Sequence, residues 1–301
     1  MRGPPLSSRP VPGKRWTRYW FALPTLVLLF LVFLFPLLYS LYVSFHYLQL
    51  GRPMVYVGWE NFREALLEDS RFANSVRNNI IIALPTIGFE FLLGFLFALI
   101  LNQNIRGKAI FTTLLVVPIM ISPVMAGMTW RMLYGAKYGA INHILKGIGI
   151  ADTSFDWFAT GPRAILAIVL ADVWHMTPFV MMILLAGLQA IPDELYEAAR
   201  VDGASRRQAF FTITLPLLKL PILVAILMRF IDLSKLFGLI YVLTWGGPGG
   251  ATETVSFTAY LVGFQYFRIG YASALSYLIL IVVGFLSFLL VKLLYTGEEN
   301  R

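Results

Sequence analysis

The sequence contains no cysteine, and only 13% of its 301 residues are charged. The absence of cysteine excludes disulfide bonds, thiolate metal sites and a cysteine nucleophile. Soluble domains carry about 25% charged residues. The low charge content, together with 58% hydrophobic residues, therefore predicts a polytopic membrane protein.

Motifs for enzyme chemistry are also scarce. The three histidines, His46, His143 and His175, are scattered over two loops and one apolar run. There is no HExxH, no nucleophile elbow and no dense acidic cluster. No phosphate loop of the GxxxxGK[ST] type is present, so we expect no ATP site in this chain. We expect no enzyme activity, no catalytic residue, no metal and no cofactor.

Long apolar runs predict six membrane-spanning helices and an all-α fold. The runs cover residues 19–45, 80–101, 109–134, 164–189, 217–244 and 272–295. Each is long enough for a bilayer that needs about 20 apolar residues. We expect the first run to be retained, because a signal peptide has a shorter apolar core and a small-residue cleavage site. An even number of spans places both termini on one side.

The distribution of basic residues predicts which side that is. With the N-terminus inside, the inner segments hold 12 Lys and Arg against six acidic residues, and the outer segments eight against seven. By the positive-inside rule, residues 1–18 form a disordered cytoplasmic tail, and residues 296–301 form a second cytoplasmic tail. Residues 19–295 form the membrane domain of a multi-pass protein of the cell membrane. The excess of positive charge reflects topology, so we expect no nucleic-acid partner.

The loop at residues 190–216 is polar and lies between two apolar runs. Acidic residues directly after Pro192 predict a short helix that ends near Val201. Gly203 permits a sharp turn that most residues resist. Ser205 is placed to cap a second short helix. The pattern predicts a helix–turn–helix element on the cytoplasmic side.

The spacing of this loop resembles the signature loop of permease subunits in ABC-type importers. The motif falls, without departure, on Glu197, Ala198, Ala199, Gly203, Ile213, Leu215 and Pro216. The resemblance implies a type I permease fold in which the cytoplasmic coupling loop, residues 190–216, docks on a separate ATPase subunit. It assigns that contact to Glu197, Ala198, Ala199, Asp202, Gly203 and Ala204. The alternative is an amphipathic helix lying at the membrane interface.

Two further stretches resemble the carbohydrate-uptake branch of these permeases, typified by maltose transporter subunits. One stretch comprises Leu243, Thr244, Gly246, Gly247, Pro248 and Thr252, whose glycines and proline also predict a tight turn. The other lies in the fourth apolar run, with Trp174, Pro178, Phe179, Gly187, Leu188, Gln189 and Pro192. The resemblance extends over about residues 20–295. An ordinary hairpin loop is the alternative for the glycine-rich stretch.

This resemblance implies half of the pore of an ATP-driven, binding-protein-dependent importer of a sugar, either a disaccharide or an oligosaccharide. The implied partners are a second homologous permease, an ATPase dimer that holds ATP and Mg, an extracytoplasmic solute-binding protein and membrane lipid. Alternatives are an importer of another solute such as glycerol phosphate, or a secondary transporter. No convincing internal repeat favours the latter.

Charged residues inside the apolar runs are costly and usually face a cavity or a partner. They are Glu90, Arg131, Asp172, Arg229, Asp232 and Lys235, with His175 nearby. For Glu90 we expect an internal ion pair, and we expect Arg131 at the outer membrane boundary. Permeases of the resembling type line their cavity from the fourth to sixth spans. The resemblance thus implies a substrate site drawn from Asp172, Trp174, Thr177, Arg229, Asp232, Ser276 and Tyr277, which suits a hydroxyl-rich ligand.

Two outer loops carry further structural predictions. Asn61 is placed to cap a helix along the outer face. Trp157 and Phe158 are expected at the membrane interface, where aromatic residues are enriched.

Overall fold

The computed structural model describes residues 14–149 and 155–295, which are almost wholly helical. Within these two ranges, four helices are long and apolar enough to cross a membrane, and two bent helix pairs raise the number to six if each pair is one span. The four are Trp20–Ser44, Ser70–Leu101, Gly161–Gln189 and Ile269–Lys292. The bent pairs are Lys108–Met120 with Pro123–Leu133, and Arg206–Leu217 with Lys219–Ser234. The predicted all-α, six-span architecture is confirmed.

The first span begins earlier than predicted. Helix α1 (Lys14–Leu29) continues through a π-helical turn (Phe30–Leu34) into α2 (Phe35–Ser44). The prediction of disorder over residues 1–18 is wrong for residues 14–18, because neither glycine nor proline interrupts the chain there. Residues 1–13 and 296–301, the rest of the predicted tails, lie outside the described residues. The span contacts the body mainly through the last helix, and its outward surface is left for lipid or for another subunit.

A short antiparallel pair of strands follows the first span. Strand β1 (His46–Tyr47) pairs with β2 (Val55–Tyr56), so that His46 lies opposite Tyr56. Helix α3 (Glu60–Arg63) and a π-helical turn (Glu64–Glu68) then lead to the second span.

Asn61 does not cap a helix, and that prediction is wrong. The cap position is held by Trp59, without a side-chain bond. Asn61 is instead buried within α3, and its Nδ2 donates to the carbonyl oxygens of Ser44 at 2.8 Å and His46 at 3.0 Å. The amide is turned inward and links the carbonyl at the end of α2 to the one at the start of β1.

The second span, α4 (Ser70–Leu101), begins ten residues before the apolar run that predicted it. The side chain of Asp69 accepts hydrogen bonds from the amides of Arg71 and Phe72, which fixes the start of the helix. Helix α4 then packs along the fourth span. A Cβ on Gly94 would lie 2.9 Å from Val180, so only glycine allows this close approach.

The third span is broken rather than continuous over residues 109–134. Helix α5 (Lys108–Val116) and a 3₁₀ turn (Val117–Met120) meet α6 (Pro123–Leu133) at a bend of 100°. Two prolines in this stretch cannot donate the backbone bonds that a continuous helix needs. The Ser122 side chain caps the new helix by accepting from the Met125 amide at 3.4 Å.

Trp157 is not at a lipid interface, contrary to prediction. Its side chain is only 6% exposed, its ring centre lies 4.6 Å from that of Tyr134, and its Nε1 donates to Asn142 Oδ1 at 2.8 Å. Asn142 belongs to α7 (Ala140–Gly147). Because the indole N–H finds a partner inside the protein, the ring packs into the core. Phe158 also packs on Tyr134, edge to face.

The remaining helices complete the bundle. They are α8 (Gly161–Gln189), α9 (Asp193–Val201), α10 (Arg206–Ala209) with a π turn (Phe210–Thr214), α11 (Leu215–Leu217), α12 (Lys219–Ser234), α13 (Gly238–Leu243), α14 (Val255–Tyr260) with a π turn (Leu261–Gln265), and α15 (Ile269–Tyr295). Helix α8 runs from one end of the bundle to the other. Residues 190–216, here called the Glu197 loop, follow its last residue. Residues 244–254, here called the Gly246 loop, lie against its first turn, where a Cβ on Gly161 would touch Ala251.

The fifth apolar run, 217–244, is also interrupted. Helix α12 ends at Ser234, and after a break α13 starts at Gly238 and packs on α6. Side chains from other elements satisfy the carbonyls freed there: Asn79 donates to Leu233 at 2.9 Å and Thr254 donates to Leu236 at 2.7 Å. A broken helix is stable at membrane depth when protein groups replace the lost bonds in this way.

Candidate functional site

The Glu197 loop has the predicted helix–turn–helix geometry. Helix α9 starts after Pro192 with two acidic residues in its first turn and ends at Val201. Gly203 has φ +78°, the left-handed conformation that glycine adopts without strain. Ser205 and Gln208 form a reciprocal capping box at the start of α10. The local signals that predicted these features are therefore confirmed.

The surface of this loop is exposed and partly apolar. Val201 is 88% exposed, although it is a large aliphatic residue at the end of α9. Beside it, a cavity of about 280 Å³ lies between α9 and α10, lined by Tyr196, Ala199, Arg200, Ala204, Arg206, Ala209, Phe210 and Thr214. The Tyr196 hydroxyl and the Thr214 Oγ1, 2.9 Å apart, hold the two sides together. The loop therefore presents a surface with several alanines, and a pocket large enough for one side chain.

A charged cluster lies midway along the bundle. Arg229 binds both oxygens of Glu90, with Nε at 2.7 Å and Nη2 at 2.8 Å, and Nη2 also donates to Asp172 at 2.6 Å. Its Nη1 lies 3.7 Å from Asp232, which in turn lies 3.4 Å from the Lys235 Nζ. Glu90 is fully buried and Arg229 is 3% exposed. The cluster joins α4, α8 and α12, and the expectation of an internal ion pair for Glu90 is confirmed.

A cavity of about 290 Å³ opens beside this cluster. It is lined by Pro123, Asp172, His175, Met176, Arg229, Asp232, Leu233, Lys235, Leu236, Phe237 and Gly238. The Nε2 of His175 lies 2.9 Å from the carbonyl oxygen of Ile121, at the bend of the third span. Three of the seven predicted substrate-site residues, Asp172, Arg229 and Asp232, therefore meet at one polar cavity.

The other four predicted residues lie elsewhere. Trp174 is partly exposed and contacts the edge of Trp130, with ring centres 5.8 Å apart. Thr177 is buried, and its hydroxyl has no hydrogen-bond partner among the described residues. Tyr277 is buried and donates to the carbonyl oxygen of Leu37. Ser276 lines a different, larger cavity.

That larger cavity, about 880 Å³, lies between α2, α12, α14 and α15. Its hydroxyl groups come from Ser40, Ser234, Ser256, Tyr260, Ser273 and Ser276, and its other aromatic walls from Phe237, Phe264 and Phe267. Lys235 and Phe237 border both cavities, because they occupy the break between α12 and α13. Sequence reasoning missed the additional serines. The spacing of Ser273 and Ser276, one helical turn apart, was the available signal.

The Gly246 loop is a tight, heavily bonded turn, as predicted. Gly246, Gly249 and Gly250 have positive φ, and the Gly247–Pro248 peptide bond is cis. The Thr252 Oγ1 lies 2.8 Å from both the Thr244 Oγ1 and the Gly247 carbonyl oxygen. These bonds within the loop make it a fixed structural element.

Ion pairs attach this end of the bundle to the second span. Arg71 donates to both oxygens of Glu253 at 2.7 and 2.8 Å. Arg268 does the same with Glu64 at 2.8 and 2.6 Å, and this bond raises the pKa of the Arg268 guanidinium above its ordinary value. Next to Arg71, a cavity of about 810 Å³ is lined by Asn74, Arg77, Asn78 and the Gly246 loop. Arg131, expected at a membrane boundary, donates to the carbonyl oxygen of Val242 at 2.5 Å.

Comparisons with known proteins identify the kind of chain this is. Residues 13–297 match the family described as "Binding-protein-dependent transport system inner membrane component". The trehalose/maltose transport system permease protein MalF of Thermococcus litoralis is 38% identical over 279 residues, covering 91% of this chain and 92% of the relative. The sulfoquinovosyl glycerol transport system permease protein SmoG of Agrobacterium fabrum is 34% identical over 275 residues, covering 87% and 88%.

A solved structure shows the same fold. It is a chain of a bacterial ABC transporter involved in the import of the acidic polysaccharide alginate. The TM-score is 0.81 at 23% sequence identity, and the match covers 94% of this chain and 96% of that chain. The predicted permease fold is thereby confirmed.

Proposed function

Because the chain belongs to the family of binding-protein-dependent transport system inner membrane components, we propose that it is one of two permease subunits of an ATP-driven sugar importer. The cargo is a disaccharide or oligosaccharide delivered by an extracytoplasmic solute-binding protein. The observation that carries the proposal is the geometry of the Glu197 loop, whose two short helices present an exposed surface between the fourth and fifth spans.

The Glu197 loop suits a docking role on an ATPase. A helix that rested on lipid would typically carry Lys and Arg on its polar face, yet α9 begins with Asp193 and Glu194. Exposed Val201 and the neighbouring pocket offer one apolar projection and one recess, the pattern of a protein contact. In this proposal Glu197, Ala198, Ala199, Asp202, Gly203 and Ala204 contact the ATPase, and ATP with Mg is bound there.

The membrane orientation follows from the same proposal. The Glu197 loop and both termini lie in the cytoplasm, on the side with net charge +6, and the Gly246 loop lies outside, where the net charge is +1. The groove beside Arg71 and Arg77 then faces the compartment of the solute-binding protein.

Two features support a sugar as cargo. The relatives include permeases of trehalose/maltose and sulfoquinovosyl glycerol systems. The larger cavity combines a row of serine hydroxyls with aromatic walls, and these groups match the hydroxyls and the apolar face of a pyranose. The charges of Asp232 and Lys235 pair with each other, so no strong net charge from this pair selects an ionic cargo.

A reconstitution experiment tests the proposal. The chain is placed in liposomes with its permease, ATPase and binding-protein partners, identified by co-purification, and uptake of labelled maltose, trehalose and larger glycosides is measured. We expect uptake of at least one glycoside that requires ATP and the binding protein. Uptake driven by an ion gradient without ATP would identify a secondary transporter. ATPase stimulation by glycerol phosphate, with none by any glycoside, would identify a phosphate-ester importer.

A further inference from the structure

Among the described residues the bundle contains four apolar clusters, and the two largest are arranged one after the other along α8. The cluster near the Gly246 loop includes Ile82, Ala167, Ile168, Ala171, Val173, Leu239, Ile240, Leu243 and Phe257. The cluster near the Glu197 loop includes Ala98, Leu101, Val180, Met181, Leu184, Leu188, Leu218 and Ala225. Along α8 the first cluster ends at Val173 and the second begins at Val180. Each of these two clusters belongs to a different half of the bundle.

The gap between the clusters is filled by polar groups. Glu90, Asp172, His175, Arg229 and Asp232 occupy it and are here called the polar layer. Close-packed apolar clusters resist internal shifts, because their side chains interdigitate. A layer of ion pairs is different, since Arg229 faces three carboxylates and holds only two of them closely. Arg229 has a further carboxylate within reach if the halves shift.

The backbone is discontinuous at the same level. The third span bends by 100° around Ile121, and the His175 ring contacts the carbonyl oxygen there. The fifth span is interrupted at residues 235–237. The 290 Å³ cavity beside the polar layer is lined by residues 235–237 of the second break and by Pro123, which directly follows the first. The fourth span carries Pro178 at this level, which removes one helical hydrogen bond.

From this coincidence we propose that the polar layer is the internal joint of the transporter. The half that carries the Glu197 loop turns against the half that carries the Gly246 loop. The breaks at residues 121–122 and 235–237 are the hinges, and Arg229 changes carboxylate partners during the turn. His175 is a positioning residue that links α8 to the bend of the third span. This inference rests on the proposed function, because the turn is driven through the Glu197 loop.

The first test asks whether the buried charges are needed for the movement or only hold the helices together. In the assembled complex, Glu90→Met, Asp172→Leu and Arg229→Met are combined, which replaces the buried charges by apolar groups of similar size. Such replacements are often neutral or stabilising. We expect unchanged or higher thermal stability with uptake reduced by about tenfold or more. Uptake at the wild-type rate would overturn the proposal.

A matched control removes an ion pair outside the layer. Glu64→Met with Arg268→Met eliminates a bidentate pair near the Gly246 end. We expect uptake to be retained there. An equal loss of uptake in both variants would show that any ion-pair loss impairs transport, and would also overturn the proposal.

The second test leaves the residues of the polar layer unchanged. It therefore remains informative even if the triple variant does not fold. The chain has no cysteine of its own, so spin labels attach only at introduced sites. Exposed Met132 and Leu166 lie in one half, and exposed Ile100 and Leu220 lie in the other. Distances are measured in the assembled complex without nucleotide and with ATP trapped by vanadate.

The expected result is a shift across the layer only. The distance between labels at 132 and 220 should change by about 5 Å, a shift of one helical turn. The pairs 132 with 166 and 100 with 220 should stay constant. A constant distance for the crossing pair, or equal changes in all three, would overturn the joint. Absence of glycoside uptake by the wild-type complex would instead contradict the proposed cargo, because the distances are measured without cargo.

The role of His175 has its own readout. His175→Gln keeps a side-chain N–H that reaches toward the carbonyl of Ile121, whereas His175→Ala does not. We expect the complex that carries His175→Ala to hydrolyse ATP on its ATPase subunits without stimulation by cargo, and we expect His175→Gln to restore the stimulation. If cargo stimulates ATP hydrolysis by the His175→Ala complex as strongly as by the wild type, His175 has no role in the joint.

Discussion

The guanidinium of Arg229 and the carboxylate of Glu90 meet side-on, with two hydrogen bonds of 2.7 and 2.8 Å and almost no exposure to solvent. They lie 139 positions apart in the chain, on the second and fifth spans. A two-point bond of this kind fixes both distance and orientation. In this conformation it sets the alignment of α4 and α12 within the bundle.

Loss of Glu90 should therefore destabilise the protein more than loss of an exposed carboxylate. Glu90→Ala leaves Arg229 buried with fewer partners, and we expect a loss of about 3–5 kcal/mol in the free energy of unfolding. Glu60→Ala is the control, because Glu60 is exposed and lies 3.9 Å from Arg63. It should change stability by about 0–1 kcal/mol. Thermal unfolding in detergent measures both, and equal shifts would contradict the importance of the buried pair.

Loss of Asp232 should impair transport more, and stability less, than loss of Glu90. It is partly exposed, lies 3.7 Å from Arg229 and borders the 290 Å³ cavity. Asp232→Ala should lower uptake per folded molecule more than Glu90→Ala does, while its unfolding temperature stays closer to wild type. Uptake is normalised to protein that elutes as a single species. Equal losses of uptake would mean that both residues are structural.

Proline at position 203 should abolish transport while leaving membrane insertion intact. Gly203 has φ +78°, whereas proline is restricted to about −65°, so the turn between α9 and α10 cannot form. Gly51→Pro is a matched control, because Gly51 has φ +80° and also has open space around it. The control should insert and transport. Wild-type uptake by a well-expressed Gly203→Pro variant would remove the docking role of the loop.

Reporter fusions should show the Glu197 loop and the C-terminus on the same side of the membrane. A reporter after Arg301 should be active in the cytoplasm, and one inserted at Gly249 should be active outside. The charge difference between the two sides motivates this orientation. The opposite pattern would exclude contact with a cytoplasmic ATPase.

Ser276 should affect cargo affinity if the 880 Å³ cavity holds the sugar. Ser276→Leu removes a hydroxyl and adds volume at the cavity wall, so the concentration for half-maximal uptake should rise by about tenfold. Thr129→Leu is the control, because its hydroxyl also bonds back to its own helix and lines neither cavity. An unchanged half-maximal concentration in Ser276→Leu would place the cargo elsewhere.

The parts of the fold that sequence predicted correctly depend on local signals. The Glu197 loop is fixed by an acidic helix start, a glycine turn and the Ser205 cap, all within 27 residues. The breaks at Ile121 and at residues 235–237 were missed, because both lie inside apolar runs long enough to be one continuous span, although Pro118 and Pro123 are local signals for the first. They are set by contacts with distant residues, such as His175 on Ile121 and Thr254 on Leu236.

The candidate cavity illustrates the same limit. Asp172, Arg229 and Asp232 could be selected because charges are rare in apolar runs. Ser256 could not, because serine is tolerated on any face of a membrane helix, and for Ser273 the one signal was its spacing of one helical turn from Ser276. The prediction that Trp157 lies at the membrane interface was wrong for a related reason. An aromatic residue near a span end is usual at a lipid interface, and only the distant Asn142 reveals its burial.

The length of α4 has a consequence for how the protein meets its aqueous surroundings. Its 32 residues extend for about 48 Å at the helical rise of 1.5 Å per residue, whereas the hydrocarbon core is about 30 Å thick. Tilting does not absorb the difference, because the first ten residues include Arg71, Asn74, Arg77, Asn78 and Asn79. Roughly three turns therefore extend beyond the hydrocarbon core as a rigid post, joined to the Gly246 loop by Glu253. A large soluble partner can therefore contact the top of this post without entering the hydrocarbon core.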